Sequence, residues 1–536
     1  MRERAVKNGY TLKAYAGTTG VMLAMNVQPA LRKELLGFAI EREGPGPGRF
    51  RWLQGLLRFP SQPRDLHSPI ESKVAPIQKF RWSDYSVYPD SPYTYQLYAV
   101  YGTPSKLRYR SGPSVTVRTE ALNDGVHQII FNRAAAASQA YSSRFKNANP
   151  DDPANQAARD WLSRGLRERL LQFIQQATDH TWALDLAIYE IEMAQIVDLL
   201  QQALQRGVAV RIVYHAREKD PQTEMNRKTL APLPEQVLQG RETNAIFHHK
   251  FFVLSRLRSD GSRVPQAVLT GSTNFTDQAV YRQANVVHIF YAADIAANYL
   301  LLFERLFQGE APEDTKRFIN TFFPVEPGKA PQAVFSPRSH LSDLQEVVAT
   351  VRRSSSDLLF CTAFGLHAEI EQALLGEPES QVIRYGLQNS RSNITGVHRQ
   401  GTFVTPAFLK TGLEGFLQES YAGQAGNIFI HLKTIVTDFT THQPTIITGS
   451  NNFSTSASTS NDENMLLIAD DTSVADTYAC EMLRLYDHYR FRFNQQNKYN
   501  RGPEGRLALA TTDAWTHRYF KKGTLACLER IRFSRR

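Results

Sequence analysis

The chain has 536 residues, 42% of them hydrophobic, which is enough for about two to four domains and excludes a disordered or fibrous protein. Its 62 lysines and arginines exceed its 52 aspartates and glutamates, and the formal net charge of +10 favours an anionic partner. The 3 cysteines are widely separated, which excludes a disulfide framework. With no convincing secretory segment and no uncharged apolar run of bilayer length, we expect a soluble, cytoplasmic protein.

Residues 1–130 are predicted to form a β-rich, sandwich-like accessory domain. Turn-rich stretches punctuate this region, and two segments between them favour strands. Tyr93–Tyr101 is rich in aromatic residues, and Ser114–Thr119 alternates with a period of two. The pattern is typical of a small antiparallel sandwich. The segment YTYQLYAVYG is also similar to a late strand of fibronectin type III modules. Its role is either packing or that of an adaptor for carbohydrate, protein or nucleic acid.

A helix and a linker are predicted for residues 131–159. Alanines favour a helix from Asn132 to Tyr141. Prolines and Asx residues then break regular structure from Asn147 to Asn155. A domain boundary is therefore expected in this stretch.

After the linker, one order of elements occurs twice. Each copy runs helix, strand, helix and strand, followed by a further pair of strands. The first copy has these segments at Leu166–Thr178, Trp182–Ile191, Met193–Gln205 and Val208–Tyr214, and the second at Leu341–Arg353, Asp357–Phe364, Ala368–Leu375 and Val382–Leu387. This repetition predicts an α/β fold with two pseudo-symmetric lobes, spanning 160–330 and 331–500.

The second lobe carries a polar motif within apolar strands. His431 and Lys433 are two positions apart, so both point to the same face of an extended strand. A buried imidazole and ammonium would be compensated by an anion held between them. The next apolar strand ends at Gly449 and Ser450, with Asn452 shortly after, where a tight turn can present hydrogen-bond donors. The motif predicts a phosphate site beside a titratable nitrogen.

The same motif occurs in the first lobe. His248 and Lys250 repeat the pair, and Gly271, Ser272 and Asn274 repeat the turn at a similar distance. One His-x-Lys is uninformative in a chain of this length. Two copies, each followed by Gly-Ser-x-Asn, are a specific signal.

These residues resemble the repeated signature of the phospholipase D superfamily, which is His-x-Lys, four residues, Asp, then Gly-Ser-x-Asn. The second copy matches in full, with Asp438 in place and with Asn461 and Glu463 following. The resemblance covers roughly residues 160–500.

The first copy departs from the signature in two places. Ser255 stands at the aspartate position, and Val287 follows Asn285 where glutamate is expected. The missing acid would leave His431 less well held, unless Asn285 or Gln283 takes its place.

The resemblance implies hydrolysis of a phosphodiester in two steps through a phosphohistidine, without metal or cofactor. It implies His248 as nucleophile, His431 as general acid and Glu463 as the residue that orients His248. It further implies charge and phosphate contacts from Lys250, Lys433, Ser272, Asn274, Ser450 and Asn452, and structural support from Asn285, Asp438, Asn461, Gly271 and Gly449.

Several alternatives stay open at this point. The substrate is expected to be nucleic acid, with phospholipase D or transphosphatidylase activity on phospholipid head groups as the alternative. A catalytically silent, anion-binding scaffold is the third reading. A zinc site from His248, His249 and His288 is disfavoured because no cysteine or carboxylate completes it. His249 and Cys361 are both interpreted as packing residues.

The tail, residues 501–536, holds 9 basic and 3 acidic residues. It is interpreted as a solvated helix or a cover strand, or as a contact for a nucleic-acid backbone or membrane surface. No pattern predicts an oligomeric state.

Overall fold

The computed structural model describes residues 1–46, 48–63, 68–134, 141, 144–146, 148–150, 152–377, 380–399, 401–406, 430–499 and 508–535. The predicted helix from Asn132 to Tyr141 lies mostly outside these residues, and so does the start of the predicted strand before His431. Within this described part, no helix combines the length and apolar character needed to cross a membrane.

Two antiparallel sheets stacked face to face form the N-terminal part, which confirms the predicted sandwich. The first has the order β1-β2-β3-β8, the second β10-β9-β4-β5, and β6 pairs with β7. Inward-facing side chains such as Leu12, Leu23, Tyr95 and Leu97 form one core between the sheets. The strands are β1 (Arg2–Lys7), β2 (Tyr10–Ala16), β3 (Val21–Val27), β4 (Leu35–Glu43), β5 (Phe50–Trp52), β6 (Gln54–Gly55), β7 (Ile70–Glu71), β8 (Arg81–Asp84), β9 (Pro92–Thr103) and β10 (Lys106–Arg118).

The first lobe is a mixed sheet with the order β11-β17-β16-β15-β12-β13-β14 and helices on both faces. Its strands are β11 (His127–Phe131), β12 (Trp182–Ile188), β13 (Ala209–His215), β14 (Leu238–Arg241), β15 (Lys250–Leu257), β16 (Arg263–Gly271) and β17 (Val286–Phe290). Its helices are α1 (Gln156–Ser163), α2 (Leu166–Gln175), α3 (Ala194–Gln205), α4 (Pro221–Leu230), α5 (Asp277–Tyr281), α6 (Ala293–Phe307) and α7 (Pro312–Phe322).

The second lobe repeats this design, with the order β18-β25-β24-β23-β19-β20-β22-β21. Its strands are β18 (Gln332–Ser336), β19 (Asp357–Thr362), β20 (Ile383–Gln388), β21 (Gly396–Val397), β22 (Gly401–Val404), β23 (Thr434–Thr437), β24 (Thr445–Gly449) and β25 (Glu463–Ala469). Its helices are α8 (Ser342–Arg353), α9 (Ala368–Leu375), α10 (Thr455–Thr459) and α11 (Thr472–Tyr499). The shared strand order confirms the predicted pair of α/β lobes.

A continuous apolar core joins the two lobes. Tyr299 and Phe303 of α6 belong to the same buried cluster as Tyr478 and Tyr486 of α11. Strand β15 is buried on both faces, because Phe251 contributes to this cluster while the next residue faces the helices of its own lobe. The lobes therefore meet through a packed apolar interface.

The C-terminal tail packs on the N-terminal sandwich and on the second lobe through α12 (His517–Phe520) and α13 (Leu525–Ser534). Trp515 stacks on Phe80 with ring centroids 5.3 Å apart, and its indole nitrogen donates to the carbonyl of Leu35. At the other end, Phe533 is buried in the inter-lobe core. Trp515 and Phe533 are thus packing residues, and the described part of the tail contains the helices α12 and α13.

The first lobe begins earlier than its predicted boundary. Strand β11, which starts at His127, pairs with β17 rather than with the sandwich. This pairing joins segments far apart in the chain, which a local pattern cannot reveal. The segment 127–130, assigned to the N-terminal domain from sequence, therefore lies in the sheet of the first lobe.

Candidate active site at the junction of the lobes

Both predicted histidines lie where one lobe hydrogen-bonds to the other. The backbone N–H of His248 donates to the carbonyl of Asp462 at 2.9 Å, and that of His431 donates to Ala284 at 3.0 Å. His248 lies two residues before the central strand β15 of its lobe, and His431 lies three residues before the central strand β23 of the other. The junction therefore brings the two His-x-Lys motifs to one place.

His248 forms a buried dyad with a carboxylate of the opposite lobe. Its Nδ1 lies 2.6 Å from Oε2 of Glu463, and the hydroxyl of Ser450 donates to the same oxygen at 2.8 Å. When Glu463 is ionised, its carboxylate only accepts hydrogen bonds, so Nδ1 of His248 carries the proton and Nε2 keeps its lone pair. This tautomer suits a nucleophile.

His431 forms the pseudo-symmetric dyad with an amide. Its Nδ1 donates to Oδ1 of Asn285 at 2.9 Å, and the hydroxyl of Ser272 donates to that oxygen at 2.7 Å. Asn285 is itself held by donating to the carbonyl of Ala279 at 2.9 Å. The second dyad therefore has the same geometry as the first, without the negative charge.

The position of the missing acid in the first copy is thus corrected. Asn285, not Val287, occupies the place that Glu463 has in the second copy. Its distance in sequence from Gly271 equals that of Glu463 from Gly449. Counting residues from the glycine–serine turn finds this equivalence. Aligning Asn285 with Asn461 instead places Val287 opposite Glu463, an error of two positions.

The glycine turns require glycine. Gly271 has φ 143° and Gly449 has φ 146°, and a Cβ atom would lie 2.3 Å from the carbonyl oxygen of Val286 or 2.4 Å from that of Asn464. The neighbouring strand comes this close because the serine N–H of each turn bonds to the same carbonyl. The turns thereby hold Ser272 and Ser450 against their dyads.

The two lysines are fully buried and anchored identically. The ammonium of Lys250 donates to the carbonyl of His248 at 2.9 Å, and that of Lys433 donates to His431 at 2.8 Å. Burial lowers the pKa of Lys250 to about 7, while Glu463 and Glu190 oppose this change. Burial also lowers the pKa of Lys433 well below its usual value, and the charge of Lys250 adds to the effect. A bound anion would stabilise both ammonium groups.

The histidines respond to the same environment. Burial lowers the pKa of both well below the usual value, and the charges of the two lysines lower it further. Burial raises the pKa of Glu463 to about 8, while Lys250 and the Ser450 hydroxyl bond oppose this rise. The site therefore couples several protonation states, as catalytic sites commonly do.

Asn274 and Asn452 each follow the serine of a dyad by two residues and have unused acceptors. The Oδ1 atom of each is buried and has no hydrogen-bond partner among the described residues. The Nδ2 group of Asn274 donates to the carboxylate of Glu190. Both amides thus retain hydrogen-bonding capacity in the site.

Asp438 and Asn461, which were predicted as structural support, accept hydrogen bonds from the backbone. Asp438 accepts from the backbone N–H of Ser355 and Ser356 at 2.9 and 2.6 Å. Its counterpart Ser255 is buried, and its hydroxyl has no partner in the described part of the chain. Asn461 accepts from the N–H of Ile246 across the junction at 3.3 Å.

The other two histidines of the zinc alternative, His249 and His288, form hydrogen bonds in the buried interior. His249 Nδ1 lies 3.2 Å from the amide of Asn464, and His288 contacts Tyr478 at 3.0 Å and His127 at 2.9 Å. Over the described ranges, no three histidine, cysteine or acidic side chains converge as metal ligands.

Sequence reasoning missed several residues of the site. Glu190 and Tyr189 follow β12, and the Tyr189 ring lies 4.9 Å from that of His248. Phe364 follows β19 and lies edge-on to His431 at 6.5 Å. Arg241 forms an ion pair across the junction with Asp462. None of these residues belongs to a repeated motif. Asp462 alone could have been noticed from the sequence, because it lies between the predicted residues Asn461 and Glu463.

A family model described as "Cardiolipin synthase, PLD-like domain" matches the chain twice, over residues 170–307 and 348–486, which together exceed half of its length. No curated protein sequence matches the chain.

Solved structures also resemble it. The phosphatidylserine synthase of Haemophilus influenzae Rd KW20 is 13% identical, with 62% of this chain and 85% of that chain covered and a TM-score of 0.40. The polyphosphate kinase of Porphyromonas gingivalis is 11% identical, with 83% and 73% covered and a TM-score of 0.41. Nuc of Salmonella typhimurium, a phospholipase D family member, is 19% identical, with 31% and 93% covered and a TM-score of 0.21.

Proposed function

We propose, from the premise that the chain belongs to the phospholipase D superfamily, that it cleaves phosphodiesters through a covalent phosphohistidine at His248 and that nucleic acid is its natural substrate. The observation that carries the role assignment is the difference between the two dyads, in which Glu463 supports His248 while Asn285 supports His431.

In the first step, Nε2 of His248 attacks phosphorus and the bond to the leaving oxygen breaks. The attacking ring gains positive charge, which the carboxylate of Glu463 stabilises through the Nδ1–H bond. Burial and the two lysine charges lower the pKa of His431 in the free site. The bound phosphodiester anion offsets the lysine charges, so in the complex His431 is protonated on both nitrogens and gives its Nε2 proton to the departing oxygen. Because its partner is a neutral amide, His431 remains the stronger acid of the pair.

In the second step, Nε2 of His431 takes a proton from water, whose oxygen attacks phosphorus as the bond to His248 breaks. Lys250 and Lys433 offset the charge of the phosphoryl oxygens in both steps. In this proposal the Nδ2 group of Asn452 donates to the same oxygens, and so does the second Nδ2 hydrogen of Asn274, whose first hydrogen bonds to Glu190. These residues supply the charge stabilisation that a divalent ion provides in many nucleases, so the proposal includes a metal-independent reaction.

Two observations support nucleic acid as the substrate. The formal net charge of +10 favours a polyanion. The Phe364 side chain is 44% exposed beside His431, where its ring can stack on an unpaired base. The description of the family model, which names a synthase, favours a second candidate, transfer of phosphatidyl groups between alcohols.

The test compares substrates under identical conditions. Labelled single-stranded DNA and RNA and phospholipid vesicles are incubated with the wild type, with His248→Ala and with His340→Ala, whose histidine is exposed on the second lobe. We expect strand cleavage that His248→Ala abolishes and His340→Ala preserves. Head-group release without strand cleavage would replace the nuclease by the lipid enzyme. No reaction on any substrate would support the silent scaffold.

A further inference from the structure

Comparison of the lobes shows that the two walls of the site differ in chemistry. Phe251 pairs with Ala187, and its counterpart Thr434 pairs with Cys361. The third residue beyond each partner is Glu190 in the first lobe and Phe364 in the second. Equivalent positions in the sequence therefore hold a carboxylate and an aromatic ring. Since Tyr189 also places a ring 4.9 Å from that of His248, the carboxylate is the group that distinguishes the first wall from the second.

Glu190 contacts the phosphate-binding machinery directly. Its carboxylate accepts a hydrogen bond from the amide of Asn274 and interacts electrostatically with both Lys250 and Lys433. The side chain is only half-buried, so it lines the site and is not sealed in the core. Burial raises its pKa, with Lys250 opposing the rise. A negatively charged group thus lies beside Asn274 and the two lysines, which are proposed to bind the phosphodiester anion.

A carboxylate in this position repels the phosphodiester unless the substrate brings a hydrogen-bond donor next to it. In a nucleic-acid backbone, the donor nearest the phosphate is the ribose 2′-hydroxyl, which DNA lacks. The opposite wall suits the rest of a nucleotide, because the ring of Phe364 can stack on a base, with Lys433 held 5.9 Å from its centroid.

We propose that this site prefers single-stranded RNA to DNA, with Glu190 accepting a hydrogen bond from a ribose 2′-hydroxyl and Phe364 stacking on a base. The inference rests on the proposed nuclease function and makes it more specific. An ammonium group of a phospholipid head group could also pair with Glu190, and the experiment separates the two cases.

The experiment measures kcat/KM for three oligonucleotides of one sequence, made as RNA, DNA and 2′-O-methyl RNA. A hydrogen bond to a charged group is worth about a tenfold to hundredfold change in rate. We therefore expect the wild type to cleave RNA at least about tenfold faster than DNA. The 2′-O-methyl RNA, which keeps the ribose but loses the donor, should react about as slowly as DNA.

Variants assign the preference to Glu190. Glu190→Ala should bring the RNA-to-DNA ratio close to one, and Glu190→Gln, which keeps an oxygen acceptor without the charge, should give an intermediate ratio. Glu218→Gln removes a carboxylate of the first lobe whose side chain is 86% exposed, and should keep the wild-type ratio. Phe364→Ala should slow cleavage of both strands. Melting curves establish that each variant is folded.

Some results would overturn the inference alone. These are equal cleavage of RNA and DNA by the wild type, rapid cleavage of 2′-O-methyl RNA, or an unchanged ratio in Glu190→Ala. A wild type that cleaves neither strand but releases ethanolamine from phosphatidylethanolamine vesicles would overturn the proposed nuclease function itself.

Discussion

The two dyads differ in a single functional group, the carboxylate of Glu463 against the amide of Asn285. Everything else in the dyads is repeated, including the supporting serine and the lysine anchored on the histidine carbonyl. A charge difference in otherwise equal geometry is a sufficient physical reason for unequal roles, because a carboxylate stabilises an imidazole that becomes positively charged.

The first prediction tests those roles with an activated diester, bis(p-nitrophenyl) phosphate. Its leaving group needs no proton, so His431→Ala should still release one equivalent of p-nitrophenolate and accumulate a phosphoryl adduct on His248. His248→Ala should form no adduct, and each variant should lose about two to four orders of magnitude in turnover. Mass spectrometry of acid-sensitive peptides locates the adduct. An adduct on His431 would reverse the assignment.

The second prediction concerns pH. Glu463 must be ionised to accept the Nδ1–H bond, and with its pKa raised to about 8 this form is lost on the acid side of the profile. Lys250 must be protonated, and with its pKa lowered to about 7 this form is lost on the basic side. Because the first pKa lies above the second, only a minor fraction of the enzyme holds both forms at any pH, and we expect a narrow bell-shaped profile of kcat/KM with its maximum between about 7 and about 8. Glu463→Gln should remove the acidic limb, and an unchanged profile would exclude Glu463 as its source.

At the scale of secondary-structure elements, one ion pair connects the end of β14 to the residue before β25. Arg241 and Asp462 are each 3% exposed and form two contacts of 3.2 Å, although they belong to different lobes. The carbonyl of Asp462 also holds the N–H of His248, and the next residue is Glu463. The position equivalent to Asp462 beside the His431 dyad is Ala284, which cannot form an ion pair. The Arg241–Asp462 ion pair, called the clamp below, therefore supports the His248 dyad alone.

The third prediction follows from that clamp. Asp462→Asn leaves the guanidinium of Arg241 buried without a counter-charge, which should cost about 3–5 kcal/mol of stability. It should also lower kcat of the folded protein, because the strand segments that carry the dyad lose their alignment. Glu481→Gln breaks the buried pair with Arg164 at a different place and is the control. It should destabilise the protein without lowering kcat. Equal effects on kcat would reject the positioning role.

The C-terminal helix α13 links the sandwich to the second lobe. Tyr15 of β2 donates to the carbonyl of Phe533 at 2.9 Å, and Glu529 accepts from both Arg81 and Tyr385. This helix therefore contacts both the sandwich and the second lobe, and its residue Arg530 donates to the carbonyl of Tyr519 at 2.9 Å.

The fourth prediction uses two apolar residues of α13. Phe533 is 1% exposed, so Phe533→Ala should reduce the free energy of unfolding by about 3–5 kcal/mol. Ile531, two positions earlier, is 44% exposed, and Ile531→Ala should change the free energy of unfolding by less than about 0.5 kcal/mol. Chemical denaturation measures both. Equal midpoints for the two variants would contradict the packing of the tail.

At the scale of the whole molecule, the site exists only where the lobes meet. Each dyad takes its histidine from one lobe and its oxygen acceptor from the other. Neither lobe by itself supplies both members of a dyad, so a complete site requires the two lobes, which share an apolar core.

The fifth prediction concerns metal removal. If the two lysines and two amides supply the charge stabilisation, cleavage should proceed at an unchanged rate after exhaustive dialysis against EDTA. Rates with and without added Mg²⁺ or Zn²⁺, measured on the same oligonucleotide, provide the check. Loss of activity in EDTA with recovery on adding one metal would contradict the mechanism.

The repeated motifs, the two α/β lobes and the sandwich were predictable from sequence alone, because hydrophobic periodicity and short spacings are local properties of the chain. Local spacing alone identified the two His-x-Lys pairs, His248 with Lys250 and His431 with Lys433. It also identified the glycine turns, since tight turns demand particular residues at particular positions.

Only the tertiary structure decided which residues meet. Asn285 and Val287 lie two positions apart, so a strand pattern cannot choose between them, and only the packing of the lobes shows that Asn285 reaches His431. Glu190 and Phe364 likewise belong to no motif and enter the site because β12 and β19 end beside it. Contacts between distant segments depend on how whole lobes pack, and no local spacing encodes them.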